Sequence, residues 1–489
     1  MAGIKKANIL EAKHEIFACL AVFFSMGYLS SRLCTAMRMP PVLGMLLCGV
    51  FFNALGEIIP DAEKIHDVQT EIAPIISDLF FFVVLVRAGL ELRFKEVRTV
   101  HIMLGVLPYL FDAIGIAAAA RISGYAYTIR HGIVMGLIMA ALGDGLVIPR
   151  IMEFREKHPD THMPGIMFVA APVEATVALT LIGLIINLAS PSKATVRFQL
   201  LVAGERLLCT VLLSYSVVWM LTKIVLRDRS TGTRRSRFHS RFFAGRPLED
   251  CILLMSVAFT FYTFSENLPN GLDRSGLIQP ELCMILIAAF FGNSWDHDRL
   301  HKVEKILTSV WAVMALFLFT SLGTRISFPV LGNVSMTVLP LLAIGWCTRA
   351  VVVVLILLTC GRSQIYNNRM PSCKVWIADA MFAFLAAMPR ATIQGALASK
   401  CWDGHAFEDI WEPSRAHEMQ REVFQAAICT LALGAPIGVI CFDKGGTFAL
   451  KLAEDGHSEL AGPTSAPKEI EMAVSRFSTQ QEPSTSLLL

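Results

Sequence analysis

Long apolar runs recur from one end of this chain to the other, and they limit its possible folds more than any other feature. Each run is long enough to cross the roughly 30 Å of hydrocarbon in a bilayer. Because lipid offers no hydrogen-bond partners, such a run must close its own backbone hydrogen bonds as a helix. The runs are continuous rather than alternating, which excludes an outer-membrane barrel. The chain is therefore predicted to be an all-α polytopic membrane protein.

The composition fits this class. Hydrophobic residues make up 54% of the 489 residues and charged residues 17%, whereas soluble domains carry about 25% charged residues. The apolar windows and their polar breaks predict about thirteen transmembrane helices. We place them near residues 16–34, 41–56, 72–92, 100–120, 131–150, 164–188, 199–226, 250–267, 277–295, 304–324, 330–360, 375–399 and 422–442.

The loops between these spans differ in charge from one side of the membrane to the other. The loop RDRSTGTRRSRFHSRFFAGR, after the seventh span, is rich in arginine, and short basic loops stay in the cytoplasm. The loops on the opposite side are acidic, so the N-terminus is predicted outside and the C-terminus inside. The net charge of +3 is small and is distributed by membrane side, which argues against a nucleic-acid partner.

An odd number of spans with a basic linker after the seventh predicts two sets of six helices joined by one connector. The second set is then inverted relative to the first, a common plan in transporters. The predicted units are a short N-terminal segment 1–15, repeat one 16–188, connector helix 199–226, basic cytoplasmic loop 227–249, repeat two 250–442, and a polar, disordered cytoplasmic tail 443–489.

Two spans are predicted to be broken. The fifth contains ALGDGLVIPR, in which two glycines and Pro149 surround Asp144. The twelfth contains AAMPRATIQGA, in which Pro389 precedes Arg390. The two spans occupy matching places in the two sets of six, and matched interruptions of this kind point to a transport site at the membrane midplane.

Two residues of opposite charge lie far from the ends of their spans. Asp112 stands in LPYLFDAIGIA, in the fourth span, and Arg349 in IGWCTRAVVVV, in the eleventh. Each is the natural partner of the other, because a buried charge left alone is costly. We interpret them as a structural ion pair.

Glu174, in FVAAPVEATVALT, has no basic residue on its own predicted helix. A carboxyl group inside a membrane can hold a proton or a small hard cation, and it must release one to take the other, which is the basis of cation/proton exchange. Thr176 and Asp144 are predicted to add oxygen ligands for Na⁺ or Li⁺. The alternative is a structural glutamate that keeps its proton and hydrogen-bonds a neighbouring helix.

Several segments together resemble the NHA subgroup of monovalent cation/proton antiporters, distant relatives of the bacterial NhaA-type exchangers. They include MPPVLGMLLCGVFFN, VLVRAGLELRFKEV, LPYLFDA, FVAAPVEATVALT and MPRATIQGALA, in the family's order. The resemblance implies two inverted repeats, crossing broken helices at the fifth and twelfth spans, a homodimer, and a core that moves like an elevator. It also places Asp112 and Arg349 on the subgroup's acid-arginine pair.

The chain departs from the family pattern at the site itself. The family carries two adjacent aspartates where this chain has Glu174 and Ala175, and a lysine where it has Arg390. Arg325 stands where the family has an acidic residue, and Asp144 where related segments have Ser-Pro or Asp-Pro. Either Glu174 has taken over the carrier role, or Asp144 compensates, or classical exchange is lost. Arg390 is then expected to balance charge beside the site.

These features predict a secondary active antiporter that exchanges Na⁺ or Li⁺ for H⁺ and regulates pH and cation content. The alternatives are a proton transporter coupled to an anion or another ion, and a transport-inactive scaffold or regulatory subunit. We expect a multi-pass protein of the plasma membrane, with an organellar membrane as the alternative. The chain has no nucleophile-base pair, metal motif or phosphate loop, so neither an enzyme nor a cofactor is expected.

Overall fold

All regular structure in the described part of the chain is helical. The computed structural model describes residues 8–37, 39, 41–58, 82–83, 85–94, 96–159, 161–189, 196–226, 246–265, 278–324, 328–361, 365–366, 372–390, 392–397, 407 and 413–461. The helices are α1 (Asn8–Ala36), α2 (Pro41–Ile58), α3 (helical residues 82–83 and 85–91), α4 (Thr99–Ile122), α5 (Ile129–Ala140), α6 (Asp144–Lys157), α7 (Met163–Ala189), α8 (Val196–Leu226), α9 (Pro247–Ser265), α10 (Pro280–Ser294), α11 (His297–Gly323), α12 (Phe328–Ile356), α13 (Cys373–Ala386), α14 (Thr392–Leu397) and α15 (Pro413–Ala461).

Six of the described helices are long and apolar enough to cross a membrane. The apolar stretches are Thr99–Ile122, Met163–Ile185, Leu201–Thr222, Asp298–Ser321, Met336–Gly361 and Ser414–Gly456. Each of the thirteen expected spans overlaps described helix, the third only through α3. The count of thirteen membrane crossings and the inverted relation of the two sets stay predictions.

The fifth and twelfth expected spans are each interrupted. In the fifth, α5 ends at Ala140, residues 141–143 are not helical, and α6 begins at Asp144. Pro149, expected to take part in the break, lies inside α6. In the twelfth span, residues 387–390 separate α13 from α14. The first break contains Gly143 and the second contains Pro389, and these two residue types have the lowest helix propensities.

The two breaks contact each other directly. The Gly143 backbone N–H donates a hydrogen bond to the Pro389 carbonyl at 2.9 Å. The Gln394 side-chain amide, on α14, donates to the carbonyls of Ile138, at 3.3 Å, and of Ala141. The opened ends of one span thus satisfy backbone groups of the other, as an interrupted helix in a membrane requires.

α4 lies at the centre of the described helices and packs against α5, α7 and α12. Small residues allow these close approaches. Gly105 of α4 faces the Ala170 carbonyl on α7, and Gly136 of α5 faces the Ala113 carbonyl on α4. Helices in lipid associate through such close backbone packing, since lipid is as apolar as leucine. This packing holds the two breaks beside the middle of α4.

α15 is longer than expected. The chain was predicted to be disordered from Asp443 onward, and this prediction is wrong for residues 443–461, which continue the helix. The segment is polar on one face only, because Ala449, Leu450 and Ala453 on the other face are fully buried. The segment is therefore an amphipathic helix, although its average composition is polar. Residues 462–489 lie outside the described part of the chain.

α6 and the residue that directly follows it anchor this extension of α15. Arg150 pairs with Asp443 at 3.4 Å, and His158 Nδ1 lies 2.7 Å from Glu454 Oε1. Below them, Phe442 joins a cluster of aromatic rings. The extension is therefore packed against the bundle along its length.

α2 and α11 cross where both have a glycine. A methyl group on Gly49 would collide with the Thr320 carbonyl oxygen, and one on Gly323 would collide with the Leu46 carbonyl. Either collision requires the two backbones to separate.

Gly49→Ala is therefore expected to destabilise the protein by about 1–3 kcal/mol, the range for overpacking. The measurement is the Tm of the purified protein in detergent. Gly204→Ala is the matched control, since no described residue outside its own helical turn lies within 4 Å of a methyl group built at that position in α8. It should leave the Tm unchanged or raise it slightly, because alanine favours helix over glycine. Equal Tm values for the two variants would contradict this account of the crossing.

Candidate functional site

Four charged side chains meet where the two breaks cross. They come from α4 (Asp112), α7 (Glu174), α12 (Arg349) and the break between α13 and α14 (Arg390). Asp112, Arg349 and Arg390 are 0% exposed, and Glu174 is 1% exposed. Two carboxylates and two guanidinium groups give the cluster a formal charge of zero. We call these residues the four-charge cluster.

Arg349 bonds both carboxylates. Its Nε lies 2.7 Å from Asp112 Oδ2. Its two terminal nitrogens bond the two oxygens of Glu174, Nη1 to Oε2 at 3.0 Å and Nη2 to Oε1 at 2.8 Å. This paired arrangement matches the planar fork of a guanidinium and is the strongest form of its contact with a carboxylate.

The remaining donors of Arg349 point at the ends of the broken helices. Nη2 donates to the carbonyl of Ala140, the last residue of α5, at 2.8 Å. Nη1 donates to the carbonyl of Ala387, directly after α13, at 3.0 Å. Carbonyls at helix C-termini lack intrahelical partners and carry partial negative charge. All five donors of the guanidinium are therefore used.

Arg390 completes the cluster from the other side of Asp112. Its Nη2 donates to Asp112 Oδ2, the oxygen that Arg349 also contacts. Its Nε and Nη1 are buried and have no hydrogen-bond partner among the described residues. The break that carries Arg390 lies against two glycines of α15, where Gly434 faces its side chain and Gly438 faces Pro389.

The structure brings together Asp112, Glu174, Arg349 and Arg390. Asp112 and Arg349, expected to pair, are in contact. The expected separation of a structural pair from an ion site at Glu174 is not observed, since Glu174 bonds the same arginine. Sequence alone did not reveal this, because Arg349 lies on another helix.

The other expected site residues stand apart from these contacts. Thr176 Oγ1 donates to the Pro172 carbonyl on its own helix at 2.8 Å. Asp144 is the first residue of α6, and its side chain lies outside what the structure describes. Arg325 also falls outside the described residues. In the described ranges, no group of three or more histidine, cysteine, aspartate or glutamate side chains is placed to hold a metal ion. A cation bound at Glu174 would need hydroxyl or carbonyl oxygens as well.

Three residues of the site were missed in the sequence. Tyr109 is fully buried one turn before Asp112, and its hydroxyl donates to the Leu137 carbonyl at 3.3 Å. Trp346, three residues before Arg349, donates to the Met388 carbonyl at 3.3 Å. Gln394 links α14 to α5. The available signal was a polar group one turn from an expected site residue, since residues three or four apart share a helix face.

Comparisons with known proteins identify relatives of this chain. The family model described as sodium/hydrogen exchanger, transmembrane, matches residues 20–432. Sodium/hydrogen exchanger 9B1 of Homo sapiens is 24% identical over 399 residues, which cover 78% of this chain and 69% of that protein. Sodium/hydrogen exchanger 9B2 of Xenopus tropicalis is 23% identical over 459 residues, which cover 90% of this chain and 76% of that protein.

A solved structure shares the fold. The sodium proton antiporter MjNhaP1 from Methanocaldococcus jannaschii aligns with a TM-score of 0.67 at 15% identity, over 91% of this chain and 99% of that chain. The family match covers most of the chain and includes every member of the four-charge cluster. The chain therefore belongs to the sodium/hydrogen exchanger family.

Proposed function

We propose that the protein is a secondary active antiporter that exchanges Na⁺ or Li⁺ for H⁺, with Glu174 as the site for which cation and proton compete. The observation that carries this proposal is the contact of a fully buried glutamate with Arg349 between two broken helices. Family membership supports cation/proton exchange. The buried carboxylate supplies the group that both ions can use.

Arg349 is the competitor that either ion must displace. In the structure it occupies both oxygens of Glu174. A proton or a monovalent cation that replaces it leaves Arg349 with Asp112 and the two helix-end carbonyls. Each ion adds one positive charge to a cluster whose formal charge is zero. The two loaded states are therefore equal in charge, and one cation exchanges for one proton.

The broken ends supply further oxygens for the cation. The carbonyls of Ala140 and Ala387 bond the same guanidinium that holds Glu174, and each has a second lone pair that can face the cation. Hard cations prefer such oxygen ligands. We assign Asp144 and the Thr176 hydroxyl to complete this shell. Arg390 holds Asp112 when Arg349 shifts, which balances charge at the break.

We assign alternating access to an elevator-type movement. In this movement the two crossing breaks shift together with the helices packed against them. The proposal includes two inverted six-helix repeats, residues 16–188 and 250–442, and a homodimer. It places the protein in the plasma membrane with a cytoplasmic C-terminus, in agreement with the basic loops. The fold shared with MjNhaP1 supports the helical architecture of this proposal.

Anion-coupled proton transport is the second candidate, and one observation favours it. Arg390 has two buried nitrogens, Nε and Nη1, without a hydrogen-bond partner in the described structure. Unpaired guanidinium N–H groups suit a small anion. The ion that drives transport separates the two candidates.

Glu174→Gln is expected to abolish cation-driven pH changes, because an amide cannot alternate between a proton and a cation. The measurement uses the full chain in liposomes with a trapped pH dye, driven in turn by Na⁺, Li⁺, K⁺ and Cl⁻. Glu153→Gln is the control, since the partners of this half-exposed glutamate among the described residues are Arg150 and Lys157, near the end of α6. It should leave the signal intact.

The other outcomes of this assay also decide between functions. A cation signal that survives Glu174→Gln would move the carrier role to Asp144. Chloride-dependent, sodium-independent acidification would favour the anion candidate. A parent protein that moves none of these ions would support the scaffold alternative.

Exchange is expected to be electroneutral, because one carboxylate carries one charge in either loaded state. The measurement is the rate of cation-driven pH change in sealed vesicles at imposed membrane potentials. The rate should not depend on voltage, and no net current should flow. A voltage-dependent turnover would require a second carrier group.

Arg349→Ala is expected to lower stability by about 3–5 kcal/mol, since it leaves two buried carboxylates with one arginine. Adding Glu174→Gln removes one of these stranded charges. The double variant should therefore lose less stability than the sum of the single variants, with a coupling of about 0.5–3 kcal/mol. The measurement is the Tm of all four proteins in the cycle. Additive losses, or normal stability of Arg349→Ala with altered ion preference, would overturn the structural role of Arg349.

A further inference from the structure

A second buried ionisable pair lies at the start of α5, away from the four-charge cluster. His131 is 0% exposed, and its backbone N–H donates to the Thr128 hydroxyl that caps the helix, at 3.1 Å. The next residue, Gly132, lies close to Ala117 of α4 and to Ala126 in the segment that follows α4. The imidazole is therefore held in place by the cap and by packing.

The imidazole faces a carboxylate of α15. His131 Nε2 lies 3.8 Å from Glu422 Oε2. The ring stacks on Tyr127, with centroids 6.1 Å apart, and meets the edge of Phe407 at 5.7 Å. The Met419 carbonyl also faces it. Aromatic surfaces thus shield both sides of the ring from water.

The pair is incompletely satisfied. Neither ring nitrogen of His131 makes a hydrogen bond of normal geometry with a described residue, and neither does Glu422 Oε2. A buried polar group without a partner destabilises the folded state. The separation of 3.8 Å exceeds the normal hydrogen-bond length by roughly 1 Å. One proton on the imidazole would turn this gap into a charge-assisted hydrogen bond, the stronger kind.

Other ionisable groups surround this pair. α15 contributes Glu418 and Arg415 beside Glu422, and the segment between α4 and α5 contributes Tyr125 and Tyr127. The negative charges of Glu422 and Glu418 raise the pKa of Tyr127, so its phenol stays protonated and donates a hydrogen bond to the Glu422 carboxylate. Burial disfavours a charged imidazole, whereas the negative charges of Glu418 and Glu422 favour the uptake of one proton by the pair. Residues 398–406 and 408–412, which include further ionisable groups, lie outside the described chain.

α5 connects this pair to the four-charge cluster. Nine residues after His131, the Ala140 carbonyl at the other end of α5 accepts a hydrogen bond from Arg349. Nine helical residues span about 14 Å. A small shift of α5 toward α15 therefore changes the position of a carbonyl that Arg349 holds.

We propose that His131 and Glu422 form a second proton-binding site, which takes up one proton, draws α5 toward α15, and thereby adjusts the four-charge cluster. The proton bridges imidazole and carboxylate and is not itself transported. The link to the four-charge cluster rests on the proposed function, whereas proton binding by the pair does not.

The first experiment therefore measures proton binding without transport. The Tm of the purified full-length protein is recorded from about pH 5 to about pH 9, the range that brackets imidazole titration. Below the titration the proton-bound pair stabilises the folded state, and this contribution is lost as pH rises. The Tm difference between wild type and His131→Gln should therefore be largest at low pH and fall by several degrees across the range. A difference that does not change with pH would overturn the proposal.

Two further variants keep the test decisive. Glu422→Gln retains the imidazole and should also flatten the pH dependence, which covers the case in which His131→Gln fails to fold. His417→Gln is the matched control, because His417 is an exposed histidine of α15, five residues before Glu422. The pH profile of its Tm should follow that of wild type. A control that flattens the profile as strongly as His131→Gln would also overturn the proposal.

The second experiment tests the link to transport. In the liposome assay, His131→Gln should shift the pH of half-maximal cation-driven exchange by about one unit, with His417→Gln unchanged. If the Tm profile changes and exchange persists with an unshifted pH profile, the site binds a proton but does not regulate the cluster. If no variant or parent exchanges ions, the proposed function fails while the proton site stands on its Tm profile.

Discussion

The buried guanidinium of Arg349 joins four helices through a single side chain. It touches α4 and α7 through carboxylates and the ends of α5 and α13 through carbonyls, with all five donors used. Its charge is tolerable inside the bundle because every one of its donors has a partner.

This arrangement explains why helix interruptions and buried charges occur together. A broken helix exposes carbonyls that lipid cannot satisfy, and an arginine needs more acceptors than one carboxylate provides. At the crossing, the carbonyls of the broken helices accept hydrogen bonds from Arg349, which satisfies both the carbonyls and the guanidinium. The direct hydrogen bond between Gly143 and Pro389 brings the two sets of ends close enough for one side chain to reach both.

The sequence predicted the positions of the breaks, because glycine and proline mark them in otherwise apolar runs. It also predicted the contact of Asp112 with Arg349, since two opposite charges in lipid need each other. The resemblance to cation/proton antiporters is confirmed by the family match.

The sequence did not predict that Glu174 shares Arg349 with Asp112. α7 and α12 are apolar on all sides, so their pattern does not indicate which face turns toward which neighbour. The helical extension of α15 over residues 443–461 was not predicted either. The average composition of this segment is polar and conceals its one apolar face.

The contact of α15 with the break has a mechanical consequence. α15 runs through 49 residues, about 74 Å at the rise of an α-helix. Its Pro436 removes one backbone hydrogen bond and lies between Gly434 and Gly438, so the bending stiffness of the helix is lowest there. This softest section is also the section that lies against Pro389 and Arg390. Flexing of the longest helix and displacement of the break are therefore a single deformation.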